Sequence, residues 1–551
     1  MILPHSTTVS APGKVLLTGG YLVLDRHFSG LVVALDARFH VTVTALPPQS
    51  SDKLPESLQP AVSDAPETPL TVPIRVVSPQ FTNGCWEYSL VLPHPSHINT
   101  GANNTHFSNP PQSTPPIIAP SSSTPANPFL ETALSFTFYV LARRIDNLHM
   151  LLLGGLELTV LADNDFYSQS ADLNRQGLDK TASGLRQLPV FNHTHGTISQ
   201  VRKTGLGSSA AMTTSVVASL LAHFGLVYLS KDGLNSNDIS TTADDRLEAT
   251  PLSMLYNLAQ TCHCVAQGKV GSGFDISAAV IGTHGYRRFS PEILDPVFRA
   301  SEILAAHVGD VDKDTYCIDL ANQVYDVVTK RWDWEDSPFQ LPPGLGLMLG
   351  DVAAGSNTPK LVSMVLAWRK ANSDQALALW IKIDGLNSEI LSAFRELCYY
   401  ARSTNESTHC GVSYLKDMAI CSEIPAASWK SLLAQDTHKS SDTIHKLVSI
   451  HSIHQEIREC LRKMSEMSGA PIEPIEQTRL LDACMKVPGV LMGGVPGAGG
   501  YDAIYCIVLS DVARDGVCKV WHSWTEMEVV PLLQGESQNG LRCSKIPLQD
   551  L

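Results

Sequence analysis

Apolar residues recur at helical spacing in the middle of the chain, at Met212, Val216, Val217, Leu220, Leu221 and Phe224. They predict a buried helix, entered through the stretch KTGLGSSAA at positions 203–211. Upstream the period is two: Phe39, Val41 and Val43, then Val72, Ile74 and Val76, then Trp86 to Leu92, then Leu156, Leu158 and Val160. These alternations predict strands and make the first half β-rich. A Pro12-Gly13 turn precedes the apolar run Val15 to Leu17 and would place Lys14 at a strand entrance. Helical periodicity runs from Phe129 to about Asn147 and from Pro251 to Gln267. Later, Leu345 to Leu349 and Ile504 to Leu509 read as strands separated by long helical stretches. Arg331 to Pro343, with Trp332, Trp334 and two adjacent prolines, reads as the passage to a second domain. From Pro93 to Pro128, proline, serine and asparagine dominate, which predicts a mobile insertion too poor in hydrophobic residues to offset its ordering entropy. Ser168 to Ser199 is mixed in polarity and yields no element.

The turns between these elements carry the candidate chemistry. Gly205 and Gly207 lead into Ser208, Ser209 and Ala210 at a helix start, where free N–H groups and the positive end of the dipole can cradle a phosphate. The spacing is not that of a Walker loop. The alternative is that Ser208 or Ser209 only caps its own helix. A second turn, GKVGSGFDISAA at 268–279, presents Asp275 at the start of a small-residue helix, as a cleft acid or as a helix-dipole partner. Arg287 and Arg288 follow in GYRRF, as surface arginines or phosphate partners. Gly355-Ser356-Asn357-Thr358 before a helix is a further possible anion site, and the dense glycine turn GGVPGAGGYDA at 493–503 holds backbone closely against something or bends sharply.

Composition narrows the partners. The chain has 551 residues, 44% of them hydrophobic, enough for two or more cored domains. Its formal net charge of −14 argues against nucleic acid or an anionic membrane as the main partner, so an anion must be gathered by local features. The beginning MILPHSTTVSAPGK lacks the pattern of a secretory signal, and Met150 to Val160 is too short to span a bilayer. A cytoplasmic protein with reduced thiols is expected from its twelve scattered cysteines. Cys262-His263-Cys264 is too tightly spaced for a zinc pair.

Taken together and in order, PGKVLLTGGY, KTGLGSSAA and GVPGAGGYDA resemble the three motifs of the GHMP kinase superfamily. The fuller strings GLGSSAAMTTSVVASLL, AQGKVGSGFDISAAVIGTHGYRRF, GDVAAGSNTP and GVPGAGGYDAIYCIVL are similar to eukaryotic, fungal-type phosphomevalonate kinases. The resemblance implies an α+β fold: an N-terminal domain like domain 2 of ribosomal protein S5 over residues 1–335, and a ferredoxin-like domain over 336–551. It implies γ-phosphoryl transfer from ATP with Mg²⁺ to 5-phosphomevalonate. Carried over position by position, Lys14 and Asp275 are the catalytic pair. Lys203, Gly205, Leu206, Gly207, Ser208, Ser209 and Ala210 hold the nucleotide, with Ser209 on Mg²⁺. Ser272, Gly273, Arg287, Arg288, Ser356, Thr358, Gly497 and Gly499 are expected at the acceptor. One departure stands out: His263 occupies the place where mevalonate kinases have a metal-binding glutamate. A phosphate acceptor is already largely ionised at pH 7, so Asp275 is expected to orient more than to deprotonate. The alternatives are a mevalonate kinase or a non-catalytic sensor. A monomer or weak homodimer acting on small molecules is expected.

Overall fold

The structure is a computed structural model that describes residues 4–47, 69–93, 114–122, 124–233, 248–307, 313–352, 358–402, 410–435 and 437–543. Two sheets organise it. The larger has ten strands, with the path β14-β1-β2-β6-β3-β4-β5 formed by Arg542–Cys543, Ser6–Thr18, Ser29–Ala45, Leu156–Ala162, Leu70–Val77, Cys85–Leu92 and Ile117–Pro120. Three further strands branch from it: β7 (His284–Arg287) and β13 (Glu536–Ser537) pair with β2, and β8 (Glu335–Pro338) pairs with β7. Pairing is antiparallel except between β3 and β6. The period-two positions all point into the core: Val41, Val43, Val72, Ile74, Val76 and Leu158 are at most 1% exposed.

The central helix, Ser208–His223, lies across β1 and β2 and has almost no exposed face. A helix apolar on every side must be covered on every side. The helices Pro128–Arg144 and Pro251–Ala266 complete the cover. Its buried hydroxyls are turned inward, as when Ser215 Oγ donates to the Ala211 carbonyl at 2.8 Å.

The smaller sheet has the order β10-β11-β9-β12, from Val490–Gly494, Ala503–Val508, Gly346–Val352 and Val529–Pro531. With helices between β9 and β10 and between β11 and β12, this is the βαββαβ order of a ferredoxin-like unit, as the resemblance implies. Among the described residues no helix is long and apolar enough to cross a membrane.

Two expectations change. Pro12 and Gly13 do not form a turn before a strand; β1 runs unbroken from Ser6 to Thr18, with a register shift between Pro12 and Lys14, so Lys14 lies inside the strand. Within the stretch from Arg331 to Pro343 the two tryptophans are packed on the core. Trp334 stacks at 4.7 Å on Tyr256, Trp332 lies 4.8 Å from Phe289, and the next residues form β8.

The proline-rich stretch also splits. Residues 94–113 lie outside the described residues, but Ile117–Pro120 pairs with β4 and Pro115 and Pro116 are buried. Thr124 Oγ1 accepts from the Glu87 N–H at 3.0 Å and donates to its carbonyl at 2.8 Å. Asn127 Oδ1 caps the following helix by accepting from the Leu130 N–H, while the Glu131 carboxylate accepts from the Asn127 N–H. A few proline-flanked apolar residues suffice here because the sheet edge supplies the hydrogen bonds. Deleting 94–128 is therefore expected to lower the melting temperature well below that of a 94–113 deletion, the lost cap alone contributing about 1 kcal/mol. Equal melting curves for the two deletions would contradict this.

Candidate active site

Lys14 is held by its strand neighbours and by the glycine loop. Its backbone N–H donates to the Leu206 carbonyl at 2.9 Å, and its Nζ donates to the Gly205 carbonyl at 2.8 Å. This packing needs glycine at Gly207, whose φ is +81°; a Cβ there would sit 3.0 Å from Lys14 Cε. Gly207 is also the N-cap of the central helix and no side chain caps it. Ser208 and Ser209 are therefore not caps, and the first-turn N–H groups of Ser208, Ser209 and Ala210 are left for a ligand.

The second turn is held from behind. Gly273, at φ +83°, starts the helix Phe274–Ile281, and a Cβ on it would strike the Tyr286 hydroxyl at 2.7 Å. Tyr286 donates to the Ser272 carbonyl, and Arg288 donates to the carbonyls of Gly271 at 2.6 Å, Val270 at 3.2 Å and Leu24 at 2.6 Å. This orients Asp275 in the first turn, where its Oδ1 accepts from the Ile276 N–H.

The third motif closes the arrangement. Tyr21 donates to the Ala498 carbonyl at 2.7 Å, and the Gly497 N–H lies 3.3 Å from the Leu16 carbonyl. A Cβ on Gly20 would stand 2.3 Å from the Gly497 carbonyl. Tyr21 adopts φ +66°, a conformation that a non-glycine residue keeps only where its surroundings over-determine it.

Between these turns lies a cleft of about 180 Å³ whose lining includes Lys14, Gly205, Leu206, Ser272, Thr358, Gly497 and Gly499. Lys14 is the one cation among the described residues that line it, and Asp502 the one acid. Burial lowers the pKa of the Lys14 amine, while the carboxylates of Asp275 and Asp502 partly offset that effect.

Several of the expected residues are placed elsewhere. Arg288 is 7% exposed with both terminal guanidinium nitrogens donating to backbone carbonyls, so it braces the turn, and it is not among the residues that line the cleft. Arg287 pairs with Glu335 at 3.5 Å on β7. Lys203 is exposed at an isolated bridge to Tyr167 and is not among the lining residues. Ser356 lies outside the described residues, whereas Thr358, which begins the next helix, does line the cleft. Sequence reasoning passed over Tyr21, Phe274 and Asp502 as site residues, although the last stood within the third glycine motif.

Among the described residues no group of three His, Cys, Asp or Glu side chains could hold a metal by itself. Besides Asp502 in the lining, the Ser209 hydroxyl and the Asp275 carboxylate are candidate oxygen donors, linked through His263: Ser209 Oγ is 3.0 Å from Nε2, and Asp275 Oδ2 is 3.9 Å from Nδ1. Mg²⁺ takes few protein oxygens and completes its shell with phosphate and water, so this donor set suits it in company with a nucleotide.

No family model matches the chain. Its sequence is 34% identical over 550 residues to a peroxisomal phosphomevalonate kinase of Arabidopsis thaliana, covering 97% of this chain and 95% of the relative. It is 35% identical over 516 residues to phosphomevalonate kinase erg8 of Aspergillus fumigatus, covering 92% and 87%. In fold it is similar to a crystal structure of a Lin0012 protein from Listeria innocua, with a TM-score of 0.54 at 15% identity over 98% of this chain and all of the other. With the three motifs gathered on one cleft and a third of the residues shared with these enzymes along nearly the whole length, the chain belongs to the phosphomevalonate kinase family.

Proposed function

We propose that the protein transfers the γ-phosphoryl group of ATP to (R)-5-phosphomevalonate, giving (R)-5-diphosphomevalonate and ADP for isoprenoid and sterol synthesis. The observation that carries this reading is the convergence of Lys14, the Gly205–Ser209 loop, the Asp275 turn and Gly497 about one cleft, in a chain of this family.

The nucleotide phosphates sit on the first-turn N–H groups of Ser208, Ser209 and Ala210, with Gly205 and Gly207 allowing close backbone approach. When bound, Mg²⁺ offsets the negative charge of the phosphates, with Ser209 as its protein ligand. Lys14 uses one ammonium hydrogen on the Gly205 carbonyl and keeps two for phosphate oxygens, so it sits between donor and acceptor and lowers the repulsion of two polyanions. The acceptor oxygen is already ionised for the most part at pH 7, since the second phosphate pKa is about 6. Asp275 therefore orients Lys14 and the acceptor. Phosphomevalonate enters between Ser272, Thr358 and Gly497, and its phosphate is met by Lys14 and the start of the helix Thr358–Ala371.

The same reading makes the chain a cytoplasmic monomer or weak homodimer. The Arabidopsis relative is named peroxisomal, so a tagged full-length chain followed in cells decides between the compartments. The activity is tested by ADP release from Mg·ATP with phosphomevalonate and with mevalonate in parallel. Turnover is expected with the first alone. Turnover with mevalonate and none with phosphomevalonate would overturn the acceptor assignment.

A further inference from the structure

His263 is 2% exposed in the helix Pro251–Ala266, yet its ring touches both halves of the phosphate-transfer machinery, and the reaction as described gives it no task. We infer that His263 is a positioning residue: it takes up the Ser209 hydroxyl hydrogen and thereby aims the Ser209 lone pairs into the cleft, toward the Mg²⁺ of the bound nucleotide. The inference rests on the kinase reading above.

A hydroxyl has one hydrogen and two lone pairs, and free in a cleft it can donate to a phosphate as readily as it can ligate a cation. The ring decides between these. Ser209 Oγ lies 3.0 Å from His263 Nε2, and the Gln267 amide nitrogen lies 3.1 Å from the same atom. An amide nitrogen can only donate, so Nε2 must be an acceptor and the Ser209 hydroxyl that shares its lone pair must donate too, which puts the ring hydrogen on Nδ1, facing Asp275 Oδ2 at 3.9 Å. The Phe129 ring packs at 5.5 Å beside the imidazole and limits its swing. With its hydrogen committed, Ser209 can offer only lone pairs to whatever enters the cleft. A glutamate at this position would be a ligand itself; the histidine instead acts on the ligand, as outer partners of metal sites do.

The test uses the full chain and reads nucleotide binding as well as turnover. ADP affinity is measured by calorimetry with and without Mg²⁺ in the wild type, His263→Gln, His263→Leu, Ser209→Ala and the Ser209→Ala/His263→Leu double variant. His263→Leu is expected to lose about 10- to 100-fold of the Mg²⁺-dependent gain in ADP affinity, with a parallel fall in kcat. His263→Gln should retain most of it, because its amide oxygen reaches the Nε2 position and accepts the same hydrogen. In the Ser209→Ala background His263→Leu should add nothing, since both changes remove one function.

If His263→Leu does not fold, His263→Asn replaces it: the shorter amide keeps polarity at the Nδ1 side but cannot reach Ser209, and it should behave as the leucine would. An unchanged Mg²⁺-dependent gain in His263→Leu or His263→Asn would overturn the inference. So would a loss that multiplies with that of Ser209→Ala, or a wild-type ADP affinity indifferent to Mg²⁺. The binding arm needs no acceptor, so a wild type that ignores phosphomevalonate would defeat the acceptor assignment and leave this result standing.

Discussion

Lys14→Met is expected to lower kcat by about 10²- to 10³-fold, the loss found when a positioned donor is removed from charge that develops in a transition state. The methionine keeps an unbranched stem beside the Phe274 ring, over which Lys14 Nζ now sits at 5.5 Å, so packing is largely preserved. Folding stability should scarcely fall, because burial already disfavours the charged amine that is being removed. The informative comparison is Asp275→Asn. An acceptor that carries its own ionised oxygen has little need of a base, so this variant should keep measurable turnover that rises with acceptor ionisation near pH 6. An inactive Asp275→Asn beside an active Lys14→Met would reverse the two roles and would fit an alcohol acceptor better.

Arg288→Met is expected to act on stability and turn geometry and to leave acceptor recognition without a selective defect. The guanidinium serves three carbonyls, of Leu24, Val270 and Gly271, from a nearly sealed position. Removing it strands polar groups that water cannot readily reach, at about 1–3 kcal/mol for each group left unsatisfied. A loss on the order of 3 kcal/mol is therefore expected in denaturant unfolding. The turn that presents Asp275 should loosen with it, so kcat falls while the KM values for ATP and for phosphomevalonate move together. An unaltered unfolding curve with a selectively raised KM for phosphomevalonate would show that Arg288 reaches the acceptor after all.

Much of this was legible in the chain because it is written locally. Period-two alternation marked β2, β3, β4 and β6, since a strand with one buried face must alternate. A buried helix behind a glycine pair marked the Gly205–Gly207 turn, since positive φ and close backbone approach leave glycine almost alone as a choice. The split of the proline-rich stretch was not legible. Its composition is that of a loop, and only the free edge of β4 turns Ile117–Pro120 into a strand.

The sequence by itself therefore determined the period-two strands, the central helix, the order of the three glycine motifs and Lys14 as a cleft residue, because backbone conformation and local period depend on near neighbours. Only the tertiary structure decided which cations face the cleft and which brace it. Arg287 and Arg288 are adjacent in sequence, yet one pairs with Glu335 and the other disappears behind the Asp275 turn, since successive side chains at a strand end point to opposite sides. It also decided where His263 stands, for a helix period can say that the ring is buried but not that a serine 54 residues away lies 3.0 Å from its Nε2. Side-chain direction and long-range proximity follow from how elements pack, and packing is set by the whole chain at once.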